Sequence, residues 1–179
     1  MTNQSTMDSS STARLPYYWI QQRIESLDPE KDYEEIWRLS AGYGLNQFML
    51  NLVYAITFPN FIATEQGSRA VWRSDGGKIV YKATQRVEQT ANNNAIWWWH
   101  GPHHPLTKKS VNHINDLHVY YSKQFPGDFG HNEDYVYTLT YTAATMHRLK
   151  LKLGFPGFSD KQKKASHLFW QEMSKLFHV

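Results

Sequence analysis

Apolar residues recur along this chain at intervals of three and four positions, which is the spacing of one face of an α-helix. In the segment 110–123, Val111, Ile114, His118 and Tyr121 follow one another at intervals of three, four and three residues. No segment shows the strict alternation that indicates a half-buried β-strand, and only KIVYK, just after Gly76-Gly77, is ambiguous in this respect. The pattern predicts an all-α fold.

Start and stop signals divide this pattern into about seven helices in a single domain. Asp28, followed by proline and acidic residues, predicts a helix start. Pro59 predicts the end of a helix of about 45–57, because proline lacks the N–H group that an interior position needs. Ser159 and Gln162 have the spacing of a capping box, which predicts that the last helix begins there.

The chain of 179 residues has the length and composition of one soluble globular domain. Residues 1–15 are rich in Ser, Thr and Asn and contain few large apolar side chains, which predicts a disordered tail before a helical domain at 16–179. The tail lacks the apolar stretch of a signal peptide. The longest near-apolar run, residues 48–58, is far shorter than the roughly 20 residues that a membrane-spanning helix needs. We therefore expect no membrane anchor in this chain.

Charge and cysteine content exclude several classes of function. The formal net charge is +3 and the charged residues are scattered, so we expect no nucleic-acid partner. The absence of cysteine excludes disulfides, thiolate metal ligands and cysteine catalysis. Aromatic residues make up 15% of the chain, and this excess suits either an apolar ligand pocket or an ordinary core.

Three histidines, His100, His103 and His104, lie close together in the sequence HGPHHP. A zinc site needs three or four ligands that converge, and a pair at helical spacing commonly fixes their directions. This Gly/Pro-containing stretch has no acidic or cysteine partner nearby. We interpret it as a solvated loop end and keep a zinc hydrolase as the weakest of the functional hypotheses.

His118 differs from these because it interrupts the buried face of its predicted helix. Burial of an imidazole is unfavourable unless the ring is hydrogen-bonded or ligated. Two interpretations stay open: a core histidine bonded to a backbone carbonyl or a tyrosine, which is the commoner case, or a ligand. Arg86 and Thr90, four residues apart, share one helix face that meets either water or a polar ligand. His113 lies about 140° away from His118 around the helix and does not share its site.

Four stretches resemble a known family in their order and spacing: KATQRVEQT, INDLHVYY, NEDYVYTLTYTA and LGFPGFSDKQKKASHLFWQEM. They are similar to the ER-bound oxygenase of mycophenolic acid biosynthesis (MpaB type) and, more distantly, to the rubber oxygenases, or latex-clearing proteins. The resemblance extends over about residues 33–177. It implies an all-α fold, haem b as cofactor, and oxidative cleavage of a C=C bond in an isoprenoid or similar apolar chain.

The resemblance also implies roles for four residues. The histidine of the family's Leu-His element is the proximal, axial ligand of the haem iron and corresponds to His118. The family's Arg-x-x-Lys-Thr element near the haem corresponds to Arg86, Gln89 and Thr90, with glutamine in place of lysine. Arg86, Gln89 and Thr90 are therefore the candidate catalytic residues, and Arg86 and Thr90 are also candidates for cofactor binding.

Two departures from the family shape further expectations. The membrane helix of the ER-bound members is missing, and the family domain normally continues beyond the last residue of this chain. We therefore expect the N-terminal part of a family domain, whose last helix exposes Leu168, Met173 and Leu176 or buries them against a second copy.

The resemblance implies an apolar small-molecule substrate and an intracellular location, either cytoplasmic or ER-associated. Peripheral membrane contact and self-association are compatible with it. An alternative hypothesis is a catalytically inactive or truncated helical relative that acts as an accessory or haem-binding protein.

Overall fold

The computed structural model describes residues 15–178, and this part of the chain is all-α and contains no strand. Of the predicted tail, residues 1–14 lie outside the described residues. The helices are α1 (Trp19–Ser26), α2 (Tyr33–Trp37), a π-helical segment (Arg38–Gly42), α3 (Gln47–Phe61), α4 (Glu65–Arg69), α5 (Gly77–Tyr81), α6 (Ala83–His100), α7 (Pro105–Gln124), α8 (Asn132–Lys152) and α9 (Asp160–Ser174).

The strongest periodic segments form helices as predicted. Apolar side chains recur at helical spacing over residues 132–152, which predicts a helix there, and α8 has these bounds. The ambiguous KIVYK stretch is part of a helical turn, α5, rather than a strand. The capping box of α9 is also confirmed. The backbone N–H of Gln162 donates to the Ser159 hydroxyl, and the backbone N–H of Ser159 donates to the Gln162 side chain at 2.9 Å.

The predicted helix start at Asp28 is wrong by one turn. The Asp28 carboxylate accepts the backbone N–H of Glu30 at 2.9 Å, as a capping residue does, but the backbone forms only a turn there. The regular helix begins at Tyr33 and widens into the π-helical segment, where the N–H of Tyr43 bonds to the carbonyl of Arg38. A capping aspartate affects only the backbone next to it, whereas tertiary packing decides which of the following residues form a regular helix.

Helix α3 passes through Pro59 instead of ending there, which corrects the predicted end. The N–H that proline lacks would have bonded to the carbonyl of Ala55, and Ala55 is exposed, so water can serve that carbonyl. One residue later, the Asn60 side chain donates to the carbonyl of Ile56 at 2.9 Å. Proline is therefore accommodated in the last turn of α3.

Helix α3 is apolar around most of its circumference, and Phe48 and Ile56 remain exposed on it. It is nevertheless only 15 residues long. Within residues 15–178, no helix combines the length and the apolar character that crossing a bilayer requires.

The main core forms around Trp37, which is almost fully buried where α2 and α9 pack together. Its ring stacks on Phe169 with centroids 5.2 Å apart, and the rings of Trp98 and Trp170 meet it edge-on at 5.5 and 5.7 Å. Such arrangements are favourable because the electron-poor ring edge meets an electron-rich face. This aromatic cluster joins α2, α6 and α9 into one packed unit.

The expectation that the last helix exposes its apolar residues is wrong for Met173, which is fully buried in this core. Leu168 and Leu176 are half-buried, and Leu176 packs against the same cluster. The reason is that α2 and α8 of the same chain cover α9.

Candidate functional site around His118

The face of α7 that we predicted to be buried does turn towards the protein. Val111 is fully buried, and Ile114, His118 and Tyr121 are half-buried. His113 is exposed, as expected from its position around the helix. The amphipathic pattern of α7 therefore directs His118, and not His113, towards the neighbouring helices.

His118 is hydrogen-bonded through one ring nitrogen. Its Nδ1 lies 3.1 Å from the hydroxyl oxygen of Tyr135, in the first turn of α8, and that hydroxyl donates to the carbonyl oxygen of Phe129 at 3.1 Å. The Phe129 ring lies against the imidazole with centroids 5.0 Å apart. Among residues 15–178 we find no hydrogen bond to Nε2 of His118, so this nitrogen is the one available to a ligand.

Burial lowers the pKa of His118, and the nearby positive charge of Arg86 lowers it further. Both effects favour the neutral imidazole, which keeps a lone pair on one nitrogen and can therefore ligate a metal. Burial also raises the pKa of Tyr135, with a smaller contribution from the charge of Asp134, so the tyrosine keeps its hydroxyl proton.

Arg86, in the first turn of α6, is half-buried and close to two other polar groups. Its guanidinium lies over the ring of Phe58 at 5.6 Å, and its charge acts on both His118 and Tyr54. The Tyr54 hydroxyl is buried and has no hydrogen-bond partner among the described residues. The charge of Arg86 thus acts on an imidazole of α7 and on an unpaired hydroxyl of α3, and such a combination suits a ligand that carries an anionic group.

Thr90 and Gln89 are placed differently. Thr90 is half-buried, but its hydroxyl donates to the carbonyl of Arg86 at 3.1 Å in the preceding turn of the same helix. Gln89 is exposed, and its side-chain oxygen accepts a hydrogen bond from Lys78 at 3.2 Å. The fold therefore groups Arg86 with His118 and leaves Gln89 at the surface.

The loop histidines make structural contacts instead. Nδ1 of His103 lies 2.7 Å from a carboxylate oxygen of Glu34, which ties the loop to α2. Gly101 has φ +82° and leaves room for that carboxylate, because a Cβ there would lie 2.5 Å from it. The ring of His104 accepts the backbone N–H of Leu106 at 3.2 Å and so caps α7.

Within the part of the chain that the structure describes, no three His, Cys, Asp or Glu side chains converge so as to hold a metal ion. The loop histidines therefore lack the convergent ligand set that a zinc site requires. The zinc hydrolase hypothesis has no support from the geometry.

Two open depressions in residues 15–178 have volumes of about 380 Å³ each, and His118 lines neither of them. One is bordered by Glu34, Arg38 and His103, and the other by Arg73 and Tyr121. The groups around His118 fit haem in their chemistry, since an imidazole nitrogen can ligate iron and an arginine can pair with a haem carboxylate. Because His118 lines neither depression, binding of so large a ring would require side chains around His118 to move.

Sequence reasoning did not single out Tyr54 and Tyr135 as site residues. In the sequence, each stands at helical spacing among apolar residues, Tyr54 within the predicted helix of about 45–57 and Tyr135 within 132–152. A hydroxyl in such a face is a signal in itself, because it must find a partner or carry a desolvation penalty. What the pattern does not reveal is which partner on another helix each hydroxyl meets.

No protein-family model matches this chain, and no curated protein matches it. The family resemblance seen in the sequence therefore stays a prediction.

Proposed function

We propose that this protein is a haem b-dependent oxygenase-like protein that cleaves a C=C bond in an isoprenoid or similar apolar chain. The observation that carries the proposal is the state of His118. Its imidazole is half-buried, its lowered pKa favours the neutral form, one nitrogen is hydrogen-bonded to Tyr135, and Nε2 has no hydrogen-bond partner among the described residues. An axial haem ligand has the same requirements: a neutral imidazole, a fixed ring orientation and a free nitrogen lone pair.

Each residue of the site has a definite task in this proposal. His118 would bind the iron through Nε2. Arg86 would pair with a carboxylate of the cofactor, and the Tyr54 hydroxyl, which has no partner among the described residues, would be a second donor to it. Phe58 and Phe129 contribute apolar surface beside Arg86 and His118. Bound haem would supply the activation of dioxygen that protein side chains cannot provide.

A second candidate function is a haem-binding or accessory protein without oxygenase activity. Two observations favour it: Gln89 points to the surface and pairs with Lys78, and the Thr90 hydroxyl is bonded to its own helix. If catalysis needs these two groups beside the haem, this chain binds the cofactor but does not turn over an alkene. An oxygen-uptake assay with an isoprenoid substrate on the haem-loaded protein distinguishes the two candidates.

The proposal includes an apolar small-molecule substrate and an intracellular site of action, either cytoplasmic or at the surface of the endoplasmic reticulum. Peripheral contact with a membrane is consistent with an apolar substrate, since such molecules partition into lipid. Self-association is also part of the proposal and can be measured by size-exclusion chromatography with light scattering.

Haem binding is tested by titrating the purified protein with haemin and recording its Soret band. We expect the wild type to bind about one haem per chain. His118→Ala is expected to abolish the Soret band of the bound form because it removes the axial nitrogen. The matched control is His113→Ala, an exposed histidine on the same helix, which should leave the titration unchanged.

The loop variants His100→Ala, His103→Ala and His104→Ala should also bind haemin like the wild type. Retention of the Soret band by His118→Ala, combined with its loss in a loop variant, would reverse the assignment of the ligand. A wild-type chain that binds no haemin would reject the proposed function.

A further inference from the structure

The loop between α7 and α8 has an unusual backbone conformation at Phe129, the only non-glycine residue in the described chain with a positive φ, +63°. A left-handed conformation is unfavourable for a bulky residue and is retained only where surrounding contacts hold it. Here the Phe129 ring packs between the rings of His118 and Tyr121, at centroid distances of 5.0 and 6.4 Å. Its carbonyl oxygen accepts the hydroxyl proton of Tyr135.

The number of available protons decides which atom is the donor in the hydrogen bond between Tyr135 and His118. The Tyr135 hydroxyl has a single proton and two neighbours, the Phe129 carbonyl oxygen and Nδ1 of His118, each at 3.1 Å. A carbonyl oxygen can only accept, so it takes the hydroxyl proton. The tyrosine oxygen can then only accept from His118, and Nδ1 must carry the imidazole hydrogen.

We propose that Tyr135 is a positioning residue that holds His118 in the Nδ1–H tautomer and thereby keeps the lone pair on Nε2. In a neutral imidazole, one ring nitrogen carries the hydrogen and the other carries the free lone pair. A group that keeps the hydrogen on Nδ1 therefore keeps the lone pair on Nε2. Without Tyr135, the hydrogen is free to move to Nε2, which is the more populated form of an unrestrained imidazole in water. That form places the hydrogen on the nitrogen that a metal would need.

The loop between α7 and α8 is also held by contacts of Asp128, on the N-terminal side of Phe129. Asp128, next to Phe129, is almost fully buried and forms an ion pair with Arg69 of α4. The N–H of Asp128 also closes a turn onto the carbonyl of Phe125 at 3.0 Å. These contacts hold the backbone in which the Phe129 carbonyl faces Tyr135, so the orientation of His118 depends on a chain of contacts that begins at α4.

The tautomer is a property of the protein alone, whereas its consequence for haem rests on the proposed function. A hydrogen-bond partner that orients a metal-ligating histidine typically contributes a factor of about 10–100 in metal affinity. Loss of the Tyr135 hydroxyl should therefore weaken haem binding without abolishing it, because His118 remains in place.

The first test needs no haem. The ¹⁵N shifts of the His118 ring, measured by long-range ¹H–¹⁵N correlation in the cofactor-free protein, report which nitrogen carries the hydrogen. We expect the Nδ1–H form in the wild type and a shift towards Nε2–H in Tyr135→Phe. Tyr137→Phe, two residues along α8 and about half-exposed, is the matched control and should leave His118 unchanged.

Two outcomes would overturn the inference: an Nε2–H tautomer in the wild type, or an unchanged Nδ1–H tautomer in Tyr135→Phe. If Tyr135→Phe does not fold, the wild-type tautomer alone decides. In a parallel haemin titration, we expect the dissociation constant of Tyr135→Phe to rise about 10-fold over that of Tyr137→Phe. A wild type that binds no haemin rejects the proposed function and leaves the tautomer measurement to decide the role of Tyr135.

Discussion

Arg86 is a half-buried cation on α6 whose guanidinium lies over an aromatic ring. Its charge is half-buried beside the Phe58 ring, and it acts on His118 and Tyr54, neither of which is an anion. Partial burial of a cation is unfavourable unless an anion or a dipole compensates for the lost hydration. The Phe58 ring compensates for part of this loss, and under the proposed function a carboxylate of the cofactor would compensate for more.

We predict that Arg86→Gln weakens haemin binding about 10-fold, which corresponds to the loss of one charge-assisted hydrogen bond. The midpoint of urea unfolding should not fall, because the substitution also removes a partly desolvated charge. Arg148→Gln, an exposed arginine on α8, is the control. Unchanged haemin affinity would exclude contact between Arg86 and the cofactor, and a large loss of stability would instead assign Arg86 a structural role.

At the scale of helices, the ends are decided by different kinds of interaction. The start of α9 carries a local signal, since the side chains of Ser159 and Gln162 each accept a backbone N–H of the other residue. The start of α2 depends on tertiary packing instead. The chain forms only a turn after Asp28, and the regular helix comprises the residues that pack into the core around Trp37. Local capping signals therefore predict boundaries well only where no tertiary contact opposes them.

We predict that Ser159→Ala lowers the free energy of unfolding by about 1 kcal/mol, because it leaves an N-terminal N–H of α9 without its side-chain acceptor. Ser174→Ala, at the other end of the same helix, removes only a hydroxyl that bonds to the carbonyl of Gln171 and serves as the control. Both variants can be compared by urea denaturation. Equal stabilities would show that the capping box does not contribute to holding α9 in place.

For the molecule as a whole, α9 is the element that completes the core. Met173, Phe169 and Trp170 meet Trp37 of α2 and extend the cluster towards Met146 of α8. This packing explains why the expectation of an exposed last helix failed for Met173. The apolar residues that do remain exposed include Phe48 and Ile56 on α3, so any self-association is more reasonably sought on that helix.

We predict that Met173→Ala destabilises the protein by about 3 kcal/mol, because it leaves a cavity in a fully packed core. Leu151→Ala, an exposed apolar residue on α8, should change the unfolding free energy by less than about 0.5 kcal/mol. Urea denaturation followed by circular dichroism measures both. A small effect of Met173→Ala would contradict the packing of α9 against α2 and would restore the expectation that this helix lacks its own cover.

The periodicity of the sequence by itself determined that the described chain is all-α, that α8 spans 132–152, and that His118 rather than His113 faces inwards. These features follow from the fixed geometry of a helix, in which spacing along the chain sets direction around the axis. Only the tertiary structure decided that Arg86 approaches His118, that Gln89 turns to Lys78, and that Tyr135 reaches Nδ1 of His118. Such contacts join residues on different helices, and their distances depend on how the helices pack, which no periodicity within one helix specifies.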